Sequence, residues 1–385
     1  MRQSKRGNVD PFIVMDIMEN ARKAEEEGND IIHMEVGQPS TPAPQHAQSK
    51  LCEEMKNSNL GYTVALGIPE LRSRISKLYG EWYNLDLNPE RVIITSGSSA
   101  GFILSFASLF DAKESVGITS PGYPSYRQIL KAQDLEPVLI ETSFENNYNL
   151  VSNDIKNKNL SGILIASPAN PTGSMLSFEE LSELIYVAEE ENISFISDEI
   201  YHGIEYDKKA TTALQITDNC YVINSFSKYF SMTGWRVGWM VVPEDHVRQI
   251  ERLAQNMFIC APHSSQVAAL HAIDCNDELI KNIKVYKENR KLMLDGLVDA
   301  GLSNISSADG AFYIYADISK FSQNSLEFSK LLLNKARIAI TPGLDFDPKR
   351  GHTTLRFSYA QSTSNIKVGL KRLKKFMLNY KDKYI

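Results

Sequence analysis

Between residues 91 and 242 the chain repeats one pattern. Short apolar runs rich in β-branched residues alternate with Gly, Ser and Pro turns and with segments of helical spacing. The runs cover residues 91–95, 115–119, 136–140, 162–166, 194–197, 221–224 and 238–242, and the helical segments include 102–110 and 178–191. Such runs suit strands that are buried on both faces. They predict an α/β domain whose mainly parallel sheet is covered by helices on both sides. Functional residues are then expected in the loops that leave the strands' C-terminal ends.

The remaining chain has a different character. Residues 11–28 have amphipathic helical spacing, and residues 31–36 read as a short strand. The Pro-rich stretch 37–44 cannot be regular structure. Pro69 sits in the first turn of a further helix. Past residue 282 a long charged helix (283–300) precedes strands at 311–316 and 354–359, with helices at 325–336 and 365–380. A chain of 385 residues exceeds what one core usually supports. The expected division is a large domain over 46–282, and a smaller α+β domain with an N-terminal arm over 1–45 together with 283–385.

Composition narrows the function. A net charge of −6 argues against generic nucleic-acid binding. No apolar run approaches membrane-spanning length, and no apolar stretch follows the basic start Met1-Arg2-Gln3-Ser4-Lys5-Arg6. Cys52, Cys220, Cys260 and Cys275 form no C-x-x-C pair, so reduced thiols in a cytoplasmic protein are expected. The seven histidines have no metal-ligand spacing, and no metal is expected.

The chemistry centres on Ser225-Phe226-Ser227-Lys228, just past a strand, with Arg236 between Gly234 and Gly238. A lysine held near cations and away from water has a lowered pKa, and its amine attacks carbonyls. Ser225, Ser227 and Arg236 suit a phosphate. A Schiff-base lysine beside a phosphate cradle suggests pyridoxal phosphate; the ordinary alternative is a surface turn. Ser98 and Ser99 follow another strand at a helix start, a ready anion site that many turns mimic. Asn170 lies on the loop Ser167-Pro168-Ala169-Asn170-Pro171-Thr172-Gly173, which also reads as a plain turn. Asp198 ends a strand: it is either a helix N-cap or the partner of a protonated pyridine nitrogen, with Tyr201 able to donate to the cofactor's phenolate. Tyr123 either stacks on a flat ring or fills core. Arg356 interrupts an apolar strand and needs a partner, for which a substrate carboxylate is suited.

Over residues 13–360 these motifs resemble the class I/II pyridoxal-phosphate aminotransferases of fold type I. The resemblance implies a homodimer that transfers an amino group between an α-amino acid and a 2-oxo acid through pyridoxal and pyridoxamine phosphate. It implies that Lys228 carries the cofactor and acts as acid and base. Asp198 would bind the ring nitrogen, Tyr201 and Asn170 the phenolate oxygen, and Tyr123 the ring face. Ser98, Ser99, Ser225, Ser227 and Arg236 would hold the phosphate, and Tyr62 would reach the partner subunit's phosphate. Arg356, Asn170 and the Gly37 backbone would hold the α-carboxylate.

Two positions depart from some members. Ser99 stands where certain aspartate-specific enzymes carry lysine, and Tyr123 where others carry tryptophan. With the apolar arm Pro11-Phe12-Ile13-Val14, this leads to the expectation that neutral or aromatic amino acids are accepted at least as well as aspartate. The rival reaction on the same cofactor is a carbon–sulfur β-lyase. A DNA-binding regulator built on this fold would carry an added N-terminal domain, and a nicotinamide dehydrogenase would show G-x-G-x-x-G after an early strand.

Overall fold

The structure, a computed structural model, describes residues 1–384. Ile385, the last residue of the expected smaller domain, lies outside the described residues. In chain order the main elements are α1 (Ile13–Glu26), β1 (Ile32–His33), α2 (Gln45–Asn57), α3 (Pro69–Tyr83), β2 (Val92–Thr95), α4 (Gly97–Leu109), β3 (Ser115–Ser120), α5 (Pro124–Ala132), β4 (Glu136–Glu141) and β5 (Gly162–Ala166). Then come α6 (Phe178–Glu190), β6 (Ser194–Asp198), β7 (Tyr221–Ser225), β8 (Gly238–Val241), α7 (Val247–Met257), α8 (His263–Ala272) and α9 (Asn276–Asp299). The chain closes with β9 (Tyr313–Asp317), α10 (Ser325–Leu331), β10 (Ile338–Ala339), β11 (Thr341–Pro342), β12 (Thr354–Ser358) and α11 (Thr363–Tyr384).

Seven strands form one sheet in the order β2-β8-β7-β6-β5-β3-β4. The pairs β7–β6, β6–β5, β5–β3 and β3–β4 are parallel, whereas β8 runs antiparallel to both neighbours. Two reversals leave β2 aligned with the parallel set. Alternate residues along each strand enter different cores, as the pleat requires. Ile163, Ile165, Phe195, Val222 and Trp239 join a core with α2, α3, α6 and α8. Leu164, Ile196, Ile223 and Met240 face α4, α5 and α7 on the other side. Each large apolar side chain so buried contributes about 1.5–3 kcal/mol.

A second set of strands lies apart from this sheet. Strands β11, β12 and β9 form an antiparallel sheet, and β1 pairs in parallel with β10. Ile32 and Met34 share a core with α9, α11 and these strands. Residues 34–36, read as strand from the sequence, leave the ladder after His33. Met34 O there accepts from Ser358 N, and Glu35 O accepts from side chains instead of a neighbouring strand. Strand β9 begins at Tyr313, not 311, because Ala311 takes a left-handed φ of 56°. The helix read over 325–336 is α10 followed by a π-helical turn, Leu332–Ala336, which ends at left-handed Arg337. Among the described residues no helix is long and apolar enough to cross a membrane.

Candidate active site

The aligned strand ends open into one cavity of about 180 Å³. Ser98 and Ser99 come from the β2–α4 turn, Tyr123 and Tyr126 from the segment after β3, and Asn170 from the loop after β5. Asp198 ends β6, and Ser227 and Lys228 follow β7. The smaller sheets supply Tyr313 and Arg356, and the arm supplies Phe12, Val14 and Met15. Gly37, Tyr201, Thr233 and Arg236 also line the cavity.

Lys228 is part-buried, and its Nζ donates to Gly37 O at 2.6 Å. Loss of water around the amine, then the charges of Arg356 and Arg236, lower its pKa to about 7, against the pull of Asp198. Buried Asp198 is pushed up to about 6 by desolvation, opposed by hydrogen bonds from Tyr126 and the Ile200 backbone. Its Oδ1 accepts from Ile200 N at 3.0 Å in a local turn, and its Oδ2 accepts from the Tyr126 hydroxyl. No helix follows it, so the capping reading reduces to that one turn.

Arg356 is buried against the rings of Tyr313 and Phe346, 4.4 and 4.7 Å from their centroids. Its Nη1 donates to Asn170 Oδ1 at 2.9 Å and its Nη2 to Glu35 O. Its Nε is buried without a hydrogen-bond partner, and no carboxylate forms an ion pair with it among the described residues. A buried cation in that state is complete only with an anion. Gly37 must be glycine, since a Cβ would stand 1.9 Å from the Tyr313 hydroxyl oxygen. The Tyr313 hydroxyl in turn lies 2.7 Å from that of Tyr201.

The other end of the cavity suits a phosphate. Gly97, at φ +75°, begins α4, and a Cβ there would fall 2.5 Å from Arg236 Nη2. The absent side chain leaves a cradle between the free N–H groups of the helix start, the hydroxyls of Ser98 and Ser99, and an exposed guanidinium. With the buried acid Asp198 and the low-pKa amine between the two ends, this donor set fits pyridoxal phosphate.

Two expected residues lie off the cavity wall. The Ser225 hydroxyl lies 2.9 Å from Ser227 Oγ and 3.1 Å from Val237 O, bracing the turn from behind. Tyr62 is 83% exposed and stands outside the cavity. Sequence reasoning missed Tyr126, Tyr313 and Phe346. The one available signal was that Tyr126 stands a helical turn after Tyr123 and so shares its face.

Comparison with known proteins agrees with this geometry. The family Aminotransferase class I and II matches residues 29–373. A valine–pyruvate aminotransferase of Mycobacterium tuberculosis is 40% identical over 380 residues, 97% of each chain. A solved structure from Silicibacter pomeroyi, described as a candidate aminotransferase, is 58% identical, with a TM-score of 0.94 over 98% of this chain and 100% of that one. The aspartate aminotransferase of Thermus thermophilus with maleate is 26% identical, with a TM-score of 0.92 over 97% and 100%. Amino transfer, not carbon–sulfur lysis, is the reaction these names share.

Proposed function

The chain belongs to the class I and II aminotransferases, enzymes that use pyridoxal 5′-phosphate, and on that premise we propose that Lys228 carries the cofactor and that neutral or aromatic amino acids are accepted at least as well as aspartate. The observation that carries the substrate reading is the wall itself. Its cations are Lys228, Arg236 and Arg356, and the arm adds only Phe12, Val14 and Met15. With Arg356 given to the α-carboxylate and Arg236 to the phosphate, no lining cation is left for a second carboxylate. Burying one unpaired is costly. The valine–pyruvate enzyme among the relatives supports the same reading.

Bound pyridoxal phosphate supplies an aldehyde for the incoming amine and a ring that withdraws electrons from Cα. The residues supply placement and proton transfer. Arg356 grips the α-carboxylate, sharing it with Asn170, and this turns the Cα–H bond toward Lys228. Lys228 Nζ takes that proton and later returns one, a role suited to an amine whose pKa is near neutrality. Asp198 would hold the ring nitrogen, Tyr123 the ring face, and Tyr201 with Asn170 the ring oxygen. Ser98, Ser99, Ser227 and Arg236 would hold the phosphate, with Ser225 behind them. We assign residues 46–282 to the cofactor-binding part, and 1–45 with 283–385 to the part that closes over the substrate. We further propose a homodimer in which Tyr62 completes the partner's phosphate site.

The test is the rate of the first half-reaction, followed by the cofactor's absorbance with a panel of amino acids. Valine, methionine and phenylalanine are expected to react at least as fast as aspartate and glutamate. A hundredfold preference for the acidic pair, about 2.7 kcal/mol in transition-state binding, would overturn the reading.

A further inference from the structure

Glu35 is fully buried, yet it lies outside the cavity wall and has no part in the mechanism above. Its Oε1 lies 2.7 Å from His33 Nδ1, and its Oε2 has no partner. The other ring nitrogen of His33 lies 3.0 Å from Glu25 Oε1 on α1. This makes a three-residue chain from the surface helix inward: Glu25, His33, Glu35. A buried carboxylate is tolerated when a cation faces it. His33 is that cation: the hydrogen bond it donates to Glu35 is the largest influence raising its pKa, which reaches about 9 against the opposing effect of burial.

The backbone of the same glutamate meets the substrate arginine. Glu35 O accepts from Arg356 Nη2 and, at 2.8 Å, from Thr341 Oγ1. The rings of Tyr313 and Phe346 lie against the guanidinium, and its hydrogen bonds set how it is turned against them. Its direct hydrogen-bond acceptors are Asn170 Oδ1 for Nη1, and Glu35 O with Thr341 Oγ1 for Nη2. On the outer side β1 is held by Ile32 N to Arg337 O at 2.9 Å and Met34 N to Ala339 O at 3.0 Å. Beyond Met34 N the pairing with β10 ends; Met34 O then accepts from Ser358 N at 2.8 Å, and the Glu35 side chain is a further anchor on the other side of the Glu35 peptide.

We propose that Glu35 and His33 are positioning residues for substrate recognition: their buried pair fixes the Glu35 carbonyl, and that carbonyl sets the orientation of Arg356. The inference rests on the reading that Arg356 holds the α-carboxylate. It differs from a merely structural role in one respect: removing the pair weakens recognition of the carboxylate and leaves the chemistry at the amine alone.

The experiment uses the holoenzyme and three measurements. One is the dissociation constant of 3-methylbutanoate, a carboxylate without an amine, by calorimetry. The others are KM and kcat for valine, and the rate with 2-methylpropylamine, an amine without a carboxylate. Glu35→Ala and His33→Ala are expected to weaken 3-methylbutanoate and raise KM for valine about tenfold, with kcat and the amine rate changed less than twofold. Glu35→Gln keeps an oxygen for His33 and is expected to fall between them and wild type. Equal losses with valine and with the amine, or unchanged carboxylate binding, overturn the proposal. Should Glu35→Ala not fold, His33→Ala decides by the same criteria. Arg356→Lys separates the two ideas. If it leaves 3-methylbutanoate binding intact, the reading of Arg356 fails. If it abolishes that binding while the Glu35 and His33 variants do not weaken it, only the positioning role fails.

Discussion

Two guanidinium groups oppose a positive charge on Lys228, and only Asp198 favours one. Burial opposes it more strongly still, so the amine is half free base near pH 7 instead of near 10.5. The free base is what joins an aldehyde. Recombination of the apoprotein with pyridoxal phosphate is therefore expected to speed up as pH rises to about 7 and to level off by about pH 8. A rate still climbing at pH 9 would show an ordinary lysine. At Asp198 the sign reverses. The Tyr126 hydroxyl bond favours the carboxylate, so Tyr126→Phe raises the pKa above about 6. A hydrogen bond to a buried charge is worth about 1.5–3 kcal/mol, enough to move the acid limb of pyridoxal phosphate binding by the apoprotein upward by about one pH unit or more. Affinity for the cofactor near pH 6 should fall while that near pH 8.5 changes little; an unmoved acid limb would show that Asp198 does not set it. Lys228, Asp198 and Asn170 were legible because they follow strand ends. Arg356 was legible because a charge inside an apolar strand demands a partner. Tyr126 and Tyr313 were not, because an aromatic residue in an apolar segment reads as core. Only the partners of their hydroxyls distinguish them, and those partners are distant in sequence.

The same contrast governs the elements. Strands β5, β6 and β7 stood out because they are buried on both faces, and burial on both faces makes an apolar run. Helix α2 did not, because it buries only Ala47 and Leu51 and lacks a periodic apolar face. Helix α1 shows how a distant residue completes an element. Its N-cap residue is Phe12, which offers no side-chain oxygen. Asp345 instead accepts from Ile13 N at 3.0 Å and Val14 N at 3.1 Å. The arm before it is tied to α5 by Asp10, which meets Gln128 and Lys131. Asp345→Ala should cost about 0.5–2 kcal/mol of stability, as loss of a cap does. Because Phe12, Val14 and Met15 form the wall of the cavity, it should also reduce discrimination between valine and alanine. Chemical denaturation and kcat/KM for the two substrates would check this. A stability loss with unchanged discrimination would mean that the arm does not read the side chain.

At the scale of the whole molecule, the exposed apolar residues ask for a cover. Tyr62 at 83%, Val64 at 59%, Met257 at 48% and Ile259 at 51% are open in the single chain. His263 Nδ1 lies 2.9 Å from Gly61 O and so joins the two segments that carry them. A surface of this kind suits a second copy of the chain, the arrangement proposed above in which each Tyr62 serves the other subunit. Nothing in one chain's sequence places Tyr62 at its own cavity or at a partner's, because a turn with an exposed tyrosine has no local signature of either. Subunit mixing distinguishes them. On the proposed dimer, Tyr62→Phe and Lys228→Ala should each impair every site in their own homodimers. In a mixed dimer the subunit that keeps Lys228 receives an intact Tyr62 from its partner, whereas the other has no lysine. Random exchange of equal amounts should then restore about a quarter of all sites to wild-type rates. If Tyr62 acts within its own subunit, the mixture shows only the average of the two parents. Native mass spectrometry establishes that exchange has occurred, and activity after exchange decides whether the site is shared.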